Sequence, residues 1–226
     1  WTAPGTAGTK PSGGTIAPAT PRIVLIDRPG SPQSYILGGQ VLPKKGTDDL
    51  ETLITANQAL GTDFLSRINT NLRETKGWSY GVRASINRVA GDVPYIVLAP
   101  VQADRTGESI AAIKADMTDF LLTKGITEEE RARIINGNIL ELPGSYETSG
   151  AVLTALQRNA LYGRADDFYD SLASQYRGMT GAQLDASIRA VLKPDQMLWV
   201  VVGDAAKVKP QLASLGLPIE DVAEAK

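Results

Sequence analysis

The chain has no cysteine and no histidine among its 226 residues. The first absence excludes disulfides and thiolate chemistry, and it leaves the redox compartment open. The second excludes a Ser-His-Asp triad and a histidine general base. It also excludes an ordinary catalytic zinc site, which is built mainly from His and Cys with carboxylates as a supplement. No apolar run approaches the roughly 20 residues of a membrane-spanning helix. Charge of one sign is not in excess either: 23 Lys and Arg stand against 25 Asp and Glu, for a formal net charge of −2. Without a basic stripe, nucleic acid is excluded as an expected partner. No glycine-rich phosphate fingerprint follows a strand and opens a helix. The acidic clusters Glu128-Glu129-Glu130 and Asp166-Asp167 read as first turns of helices, where the dipole favours them, and not as metal ligands.

What remains is an ordinary globular composition, 42% hydrophobic and 21% charged, with enough length for a sizeable core. The chain starts at Trp1 and not at Met, which reads as a fragment or a processed product. Residues 1–21 are rich in Gly, Thr, Ala and Pro with almost no large apolar side chains. That is linker composition, and it suggests that something preceded it. Residues 22–226 are expected to form one domain.

Along that stretch, Arg22 to Asp27 and Gln33 to Leu42 read as two strands around the turn Pro29-Gly30-Ser31-Pro32, which suggests a hairpin. Thr47 to Leu60 reads as a helix with an acidic start. Trp78 to Val89 alternates in polarity as a half-buried strand does, and Tyr95 to Val101 is its natural partner, with Pro100 pointing to an edge or a strand end. The second half is mostly helical. The stripe Ile110, Ile113, Met117, Phe120 and Leu121 ends at Gly125, and capping boxes open at Thr127 and Thr180. Pro143-Gly144 breaks the helix after Thr127. Met197 to Val202 is a buried strand, followed by a short helix over residues 205–215 with Pro210 as a break, and a charged tail. This order does not alternate as βαβ units do. It predicts an α+β fold, a two-layer sandwich whose largely antiparallel sheet carries helices on one face.

The stretch from Gly61 to Gly81 carries the most information. Phe64, Leu65, Ile68 and Leu72 fall at helical spacing, Asp63 or Thr62 can cap the start, and Gly77 sits where a left-handed residue ends a helix. Arg73 lies at the end of that helix, and Tyr80 follows seven residues later on the apolar side of the next strand. Spacing alone leaves two readings open. Tyr80 is a core tyrosine and Arg73 a solvated helix end, or the two grip and polarise a carbonyl.

The pattern Gly61-x-x-Phe64-x-Ser66-Arg67-Ile68-Asn69-x-x-Leu72-Arg73-Glu74-x-x-Gly77-x-x-Tyr80-Gly81 resembles the C-terminal-type domain of the M16 (pitrilysin/insulinase-like) zinc peptidases. Ile26 to Ser34, Ile126 to Glu130, Leu142-Pro143, Leu192-x-Pro194-Asp195 and Val200 to Asp204 resemble further parts of that domain in the same order, so that the likeness covers roughly residues 22–215. In that family the catalytic half carries a His-x-x-Glu-His zinc motif, which a chain without histidine lacks outright. The resemblance therefore implies a non-catalytic domain, inactive alone, that completes a clamshell chamber around a peptide. It implies no cofactor in this chain and zinc in a partner half, on the same polypeptide or on a separate subunit. By the motif match, Arg73 and Tyr80 are the substrate-binding residues, with Tyr80 donating a hydrogen bond in the transition state. It does not fix the compartment; analogy with bacterial relatives favours the periplasm. The alternative from a different class is a structural or assembly domain with no role in catalysis.

Overall fold

The computed structural model describes residues 19–222 together with Gly5, Ile16 and Ala17. The expected linker over 1–21 and the last four residues of the tail therefore lie largely outside the described residues. Six strands form one sheet in the order β3-β4-β2-β5-β1-β6. They are β1 (Ile23–Asp27), β2 (Gln33–Lys45), β3 (Arg83–Ile86), β4 (Asp92–Gln102), β5 (Leu198–Gly203) and β6 (Ile219–Val222). The pairs β3–β4, β4–β2 and β2–β5 are antiparallel, whereas β1 runs parallel to both β5 and β6. The α+β reading with a mainly antiparallel sheet holds, and one edge of the sheet is parallel.

The alternation in β4 shows how the layers form. Val93, Tyr95, Val97, Ala99 and Val101 are buried, while Pro94, Ile96, Leu98 and Pro100 between them are only partly covered. Successive strand residues point to opposite faces, so one face is sealed and the other is not. The sealed face packs on α1 (Glu51–Asn57), α3 (Thr106–Asp119), α4 (Glu128–Glu141), α7 (Gly181–Val191) and α8 (Ala205–Ala213), whose Leu53, Ile110, Ile113, Ile134, Leu184, Ile188, Val208 and Leu212 join the same core. The uncovered face stays apolar, with Leu37, Ile96, Leu98, Val200 and Val202 half-buried and Tyr35 exposed.

Four local expectations are corrected. First, β1 and β2 are not a hairpin: β5 lies between them and pairs with both. Local turn signals cannot reveal a strand that arrives 170 residues later along the chain. Second, the strand expected from Trp78 starts only at Arg83, so Trp78 to Gly81 form a loop. Third, the four-residue stripe divides. Helix α2 starts at Arg67 (Arg67–Asn69) and continues as a wider turn over Thr70–Thr75. Ile68 and Leu72 are fully buried, whereas Phe64 is 64% and Leu65 58% exposed in the preceding loop. Ser66, not Asp63 or Thr62, holds the N-cap position. Fourth, α8 runs through Pro210, and the charged tail contributes β6. Its Glu220 and Asp221 suit an edge strand, where charge discourages further pairing.

Other signals read as expected. Thr127 and Thr180 form complete capping boxes with Glu130 and Gln183. Pro100 does not interrupt the sheet. The Gln102 N–H points away from β2 toward the Trp78 carbonyl at 3.0 Å, so the proline nitrogen two residues earlier points the same way. There β3 has already ended its pairing, at Leu98.

Candidate functional site: a cavity at the end of the uncovered sheet face

Arg73 and Tyr80 border one cavity of about 400 Å³, which Gln33, Glu74, Trp78 and Gln102 also line. Gln33 lies on the same face of β2 as Tyr35 and Leu37, and Gln102 on the same face of β4 as Leu98 and Pro100. The cavity is therefore continuous with the uncovered apolar face of the sheet.

The loop carrying Tyr80 is held at both ends. Gly77 adopts φ +65°, the left-handed conformation that glycine tolerates best. After the Lys76 N–H has bonded the Asn71 carbonyl at 2.9 Å, this conformation turns the Trp78 N–H back to the Leu72 carbonyl, also at 2.9 Å, which closes the helical segment. The Gln102 side chain donates to the Gly77 carbonyl at 3.1 Å. Ser79 Oγ bonds the Pro100 carbonyl at 2.5 Å and accepts the Gly81 N–H at 3.1 Å. Buried Asn69 joins the two sides: its amide donates to the Phe64 carbonyl at 2.7 Å and its oxygen accepts the Val82 N–H at 2.9 Å. Buried amides of this kind are costly to leave unpaired, so Asn69 sets where the loop leaves the helix and meets β3.

Between these ties Tyr80 projects freely, 91% exposed. It is not a core tyrosine, and the exposure removes that one of its two readings. Arg73 is lightly held. Its Nε lies 3.4 Å from Glu74 Oε1, its guanidinium stacks 4.3 Å from the centre of the Phe64 ring, and its Nη1 is enclosed without a hydrogen-bond partner among the described residues. Phe64 thus reads as the platform for Arg73, not as a core residue. Trp78 is the other platform, with the Lys76 ammonium 4.4 Å and the Arg105 guanidinium 5.9 Å from its ring. Such cation–ring contacts are worth about 0.5–1 kcal/mol at exposed sites, enough to orient a side chain without locking it.

Sequence reasoning singled out Arg73 and Tyr80 but not Gln33, Trp78 or Gln102. Gln33 and Gln102 come from strands paired across the sheet, and their partnership with the 73–80 segment carries no local signal. Asn69 stood inside the quoted pattern and its role as a clamp emerges only with the hydrogen bonds.

Zinc does not fit this chain. Histidine and cysteine are absent from the sequence, and among the described residues no group of three or more His, Cys, Asp or Glu is placed to hold a metal. No helix of the described residues is long and apolar enough to cross a membrane. Fold and site together define a class, an α+β domain that presents an arginine and a tyrosine at the end of an open sheet face without a metal centre of its own. The model of the peptidase M16 inactive domain family matches residues 3–138, and the chain belongs to that family. An uncharacterized zinc protease of Mycobacterium bovis is 26% identical over 178 residues, 76% of this chain and 39% of that protein. The chain thus spans about two fifths of the length of this relative. The crystal structure of a peptidase M16 inactive domain from Pseudomonas fluorescens superposes with a TM-score of 0.74 at 22% identity, covering 83% of this chain and 45% of that one. A chain of complex III from Candida albicans superposes with a TM-score of 0.64 at 11% identity, covering 85% of this chain and 49% of that one. At these identities the structural likenesses speak to the fold alone.

Proposed function

We propose that this domain is the non-catalytic half of an M16-type zinc peptidase and forms one wall of its substrate chamber, opposite a zinc-bearing half on the same polypeptide or on a separate subunit. Arg73 holds the peptide and Tyr80 meets the carbonyl that is cleaved. The single observation that carries this reading is the exposed Tyr80 phenol beside a lightly held Arg73, on one cavity opening onto the uncovered apolar sheet face. That arrangement suits an extended peptide: apolar side chains lie on the sheet face while its backbone carbonyls meet donors at the end.

The chemistry assigned to each residue follows from its donors. Hydrolysis builds negative charge on the carbonyl oxygen, and a neutral phenol can donate a hydrogen bond to it. A guanidinium stays charged and can hold a carbonyl or carboxylate through two parallel bonds. Neither group is a nucleophile or a general base here, so the domain serves only with a partner that supplies both metal and base. The 39% span on the mycobacterial relative is consistent with a second half in proteins of that length.

The test compares the purified chain with its mixture with the zinc-bearing half. Alone, the chain should bind no stoichiometric zinc by metal analysis and cleave no peptide; the mixture should cleave. Zinc and proteolysis in the chain alone would contradict the reading. A stable complex whose activity ignores changes at both Arg73 and Tyr80 would return the domain to an assembly role.

A further inference from the structure

A second cavity, about 490 Å³, lies away from the Arg73–Tyr80 cavity, where α1 and the end of β3 meet α5 (Ser149–Tyr162) and α6 (Phe168–Gly178). That volume is in the range of small-ligand sites. Its composition is unlike the rest of the chain. Only 6% of residues are aromatic, yet four of the seven tyrosines, Tyr146, Tyr162, Tyr169 and Tyr176, line it together with Phe168. The rings form a connected wall. Tyr146 and Tyr169 have centroids 5.0 Å apart, and Phe168 meets Tyr169 edge-on at 5.1 Å.

Three guanidiniums and two carboxylates line the same space, an excess of one positive charge. Their pairing is uneven. A single oxygen, Glu51 Oε1, accepts from Arg88 at 3.0 Å and from Arg164 at 2.5 Å. Arg88 is further used up by the Gly46 and Asp48 carbonyls, which makes it a structural tie. Among the described residues the Arg164 side chain hydrogen-bonds only Glu51, and it stacks 4.0 Å from the centre of Phe168, so the rest of its five-donor fork has no partner among them. Arg158 has no ion-pair partner among the described residues. The Tyr146 and Tyr176 hydroxyls likewise bond no protein atom among the described residues. Burial, foremost, pushes Tyr146 up and Tyr176 up to about 12, so both stay protonated donors at neutral pH.

We propose that this cavity binds an aromatic carboxylate, with the ring against the Tyr146–Tyr169–Phe168 wall and the carboxylate on Arg158 and the free edge of Arg164. A carboxylate matches the planar guanidinium fork and the free phenols, and a ring matches the stacking wall. The same chemistry has two sources, a free small acid and the C-terminal residue of a peptide that ends in an aromatic side chain. The inference does not depend on the peptidase reading, because it concerns the chain without a partner.

Calorimetric titration of the full chain with N-acetylphenylalanine, with its amide, and with a short peptide ending in phenylalanine tests it. The acid should saturate and the amide should bind at least about tenfold more weakly, because the charge-assisted bonds are lost. Tighter binding of the peptide than of the acid points to a peptide terminus; exclusion of the peptide points to a small acid; either supports the site. Arg158 is exposed and outside the core, so Arg158→Gln should leave thermal unfolding unchanged and weaken the acid about fivefold. Tyr176→Phe should weaken it less. No saturation below about 10 mM, equal binding of acid and amide, or an Arg158→Gln protein that binds the acid as tightly as before would overturn the proposal.

Discussion

Arg67 and Arg73 lie on the same short helical segment, six residues apart, and the molecule treats them in opposite ways. Arg67 is tied down. Its Nε and Nη2 bond both oxygens of Glu130 at 2.8 and 2.7 Å, Nη2 also reaches the Gly125 carbonyl, and the guanidinium sits 4.8 Å from the centre of the buried Phe120 ring. Arg73 has one longer contact to an exposed glutamate and an exposed ring beneath it. Glu130 is itself fixed, since the capping box at Thr127 uses the same carboxylate. One end of the segment is therefore fastened to the helix layer, and the other projects an incompletely satisfied cation toward the open sheet face. A guanidinium meant for structure is saturated with partners; one available for a ligand is not.

Three measurements break or sharpen this contrast. The largest effect is expected from Arg67→Ala. Removing it leaves a part-buried carboxylate without its cation, which should cost about 2–3 kcal/mol in urea unfolding, less than a fully buried pair because solvent reaches both groups. An intermediate effect concerns pH. Partial burial, the largest single influence, raises Glu130, but the hydrogen bonds and charge of Arg67 together with the Thr127 N–H outweigh it, and the native carboxyl lies below its ordinary 4.5. A group depressed in the native state adds stability above its unfolded value and loses it as pH falls through the native value. The stability gap between wild type and Arg67→Ala should therefore be full near neutrality and shrink progressively below 4.5. A gap that stays constant through that range would detach Glu130 from the fastening. The smallest effect is expected from Arg73→Ala, within about 0.5 kcal/mol of wild type in the same unfolding assay. A loss comparable to that of Arg67→Ala would make Arg73 a structural residue.

The contrast also marks what was legible in the sequence. Both ends of the segment stand in the quoted pattern, yet nothing local separates a saturated arginine from a free one; the partners Glu130 and Phe120 are more than 50 residues away. The capping boxes and Gly77 were legible because their chemistry is confined to a few neighbouring residues. Phe64 and Leu65 misled because helical spacing of apolar residues ordinarily means core, and here it means a loop with a ring under a cation. The insertion of β5 between β1 and β2 was not legible because strand order is set by long-range pairing. Tyr80 was singled out as a candidate but placed on a strand's apolar side, whereas it stands exposed in a loop. Its exposure follows from a loop that Ser79, Gln102 and Asn69 hold clear of the sheet, bonds that bridge distant parts of the chain.

The central claim is that Tyr80 acts on a reaction whose other groups lie in a partner. Steady-state kinetics of Tyr80→Phe in the complex with the zinc-bearing half test it most directly. The substitution removes one hydroxyl from an exposed side chain and should leave assembly intact. The account predicts a kcat lowered by about 10²-fold, the usual loss for a donor to a developing oxyanion, with a much smaller change in KM. A complex that assembles normally and turns over peptide at the wild-type kcat would contradict it.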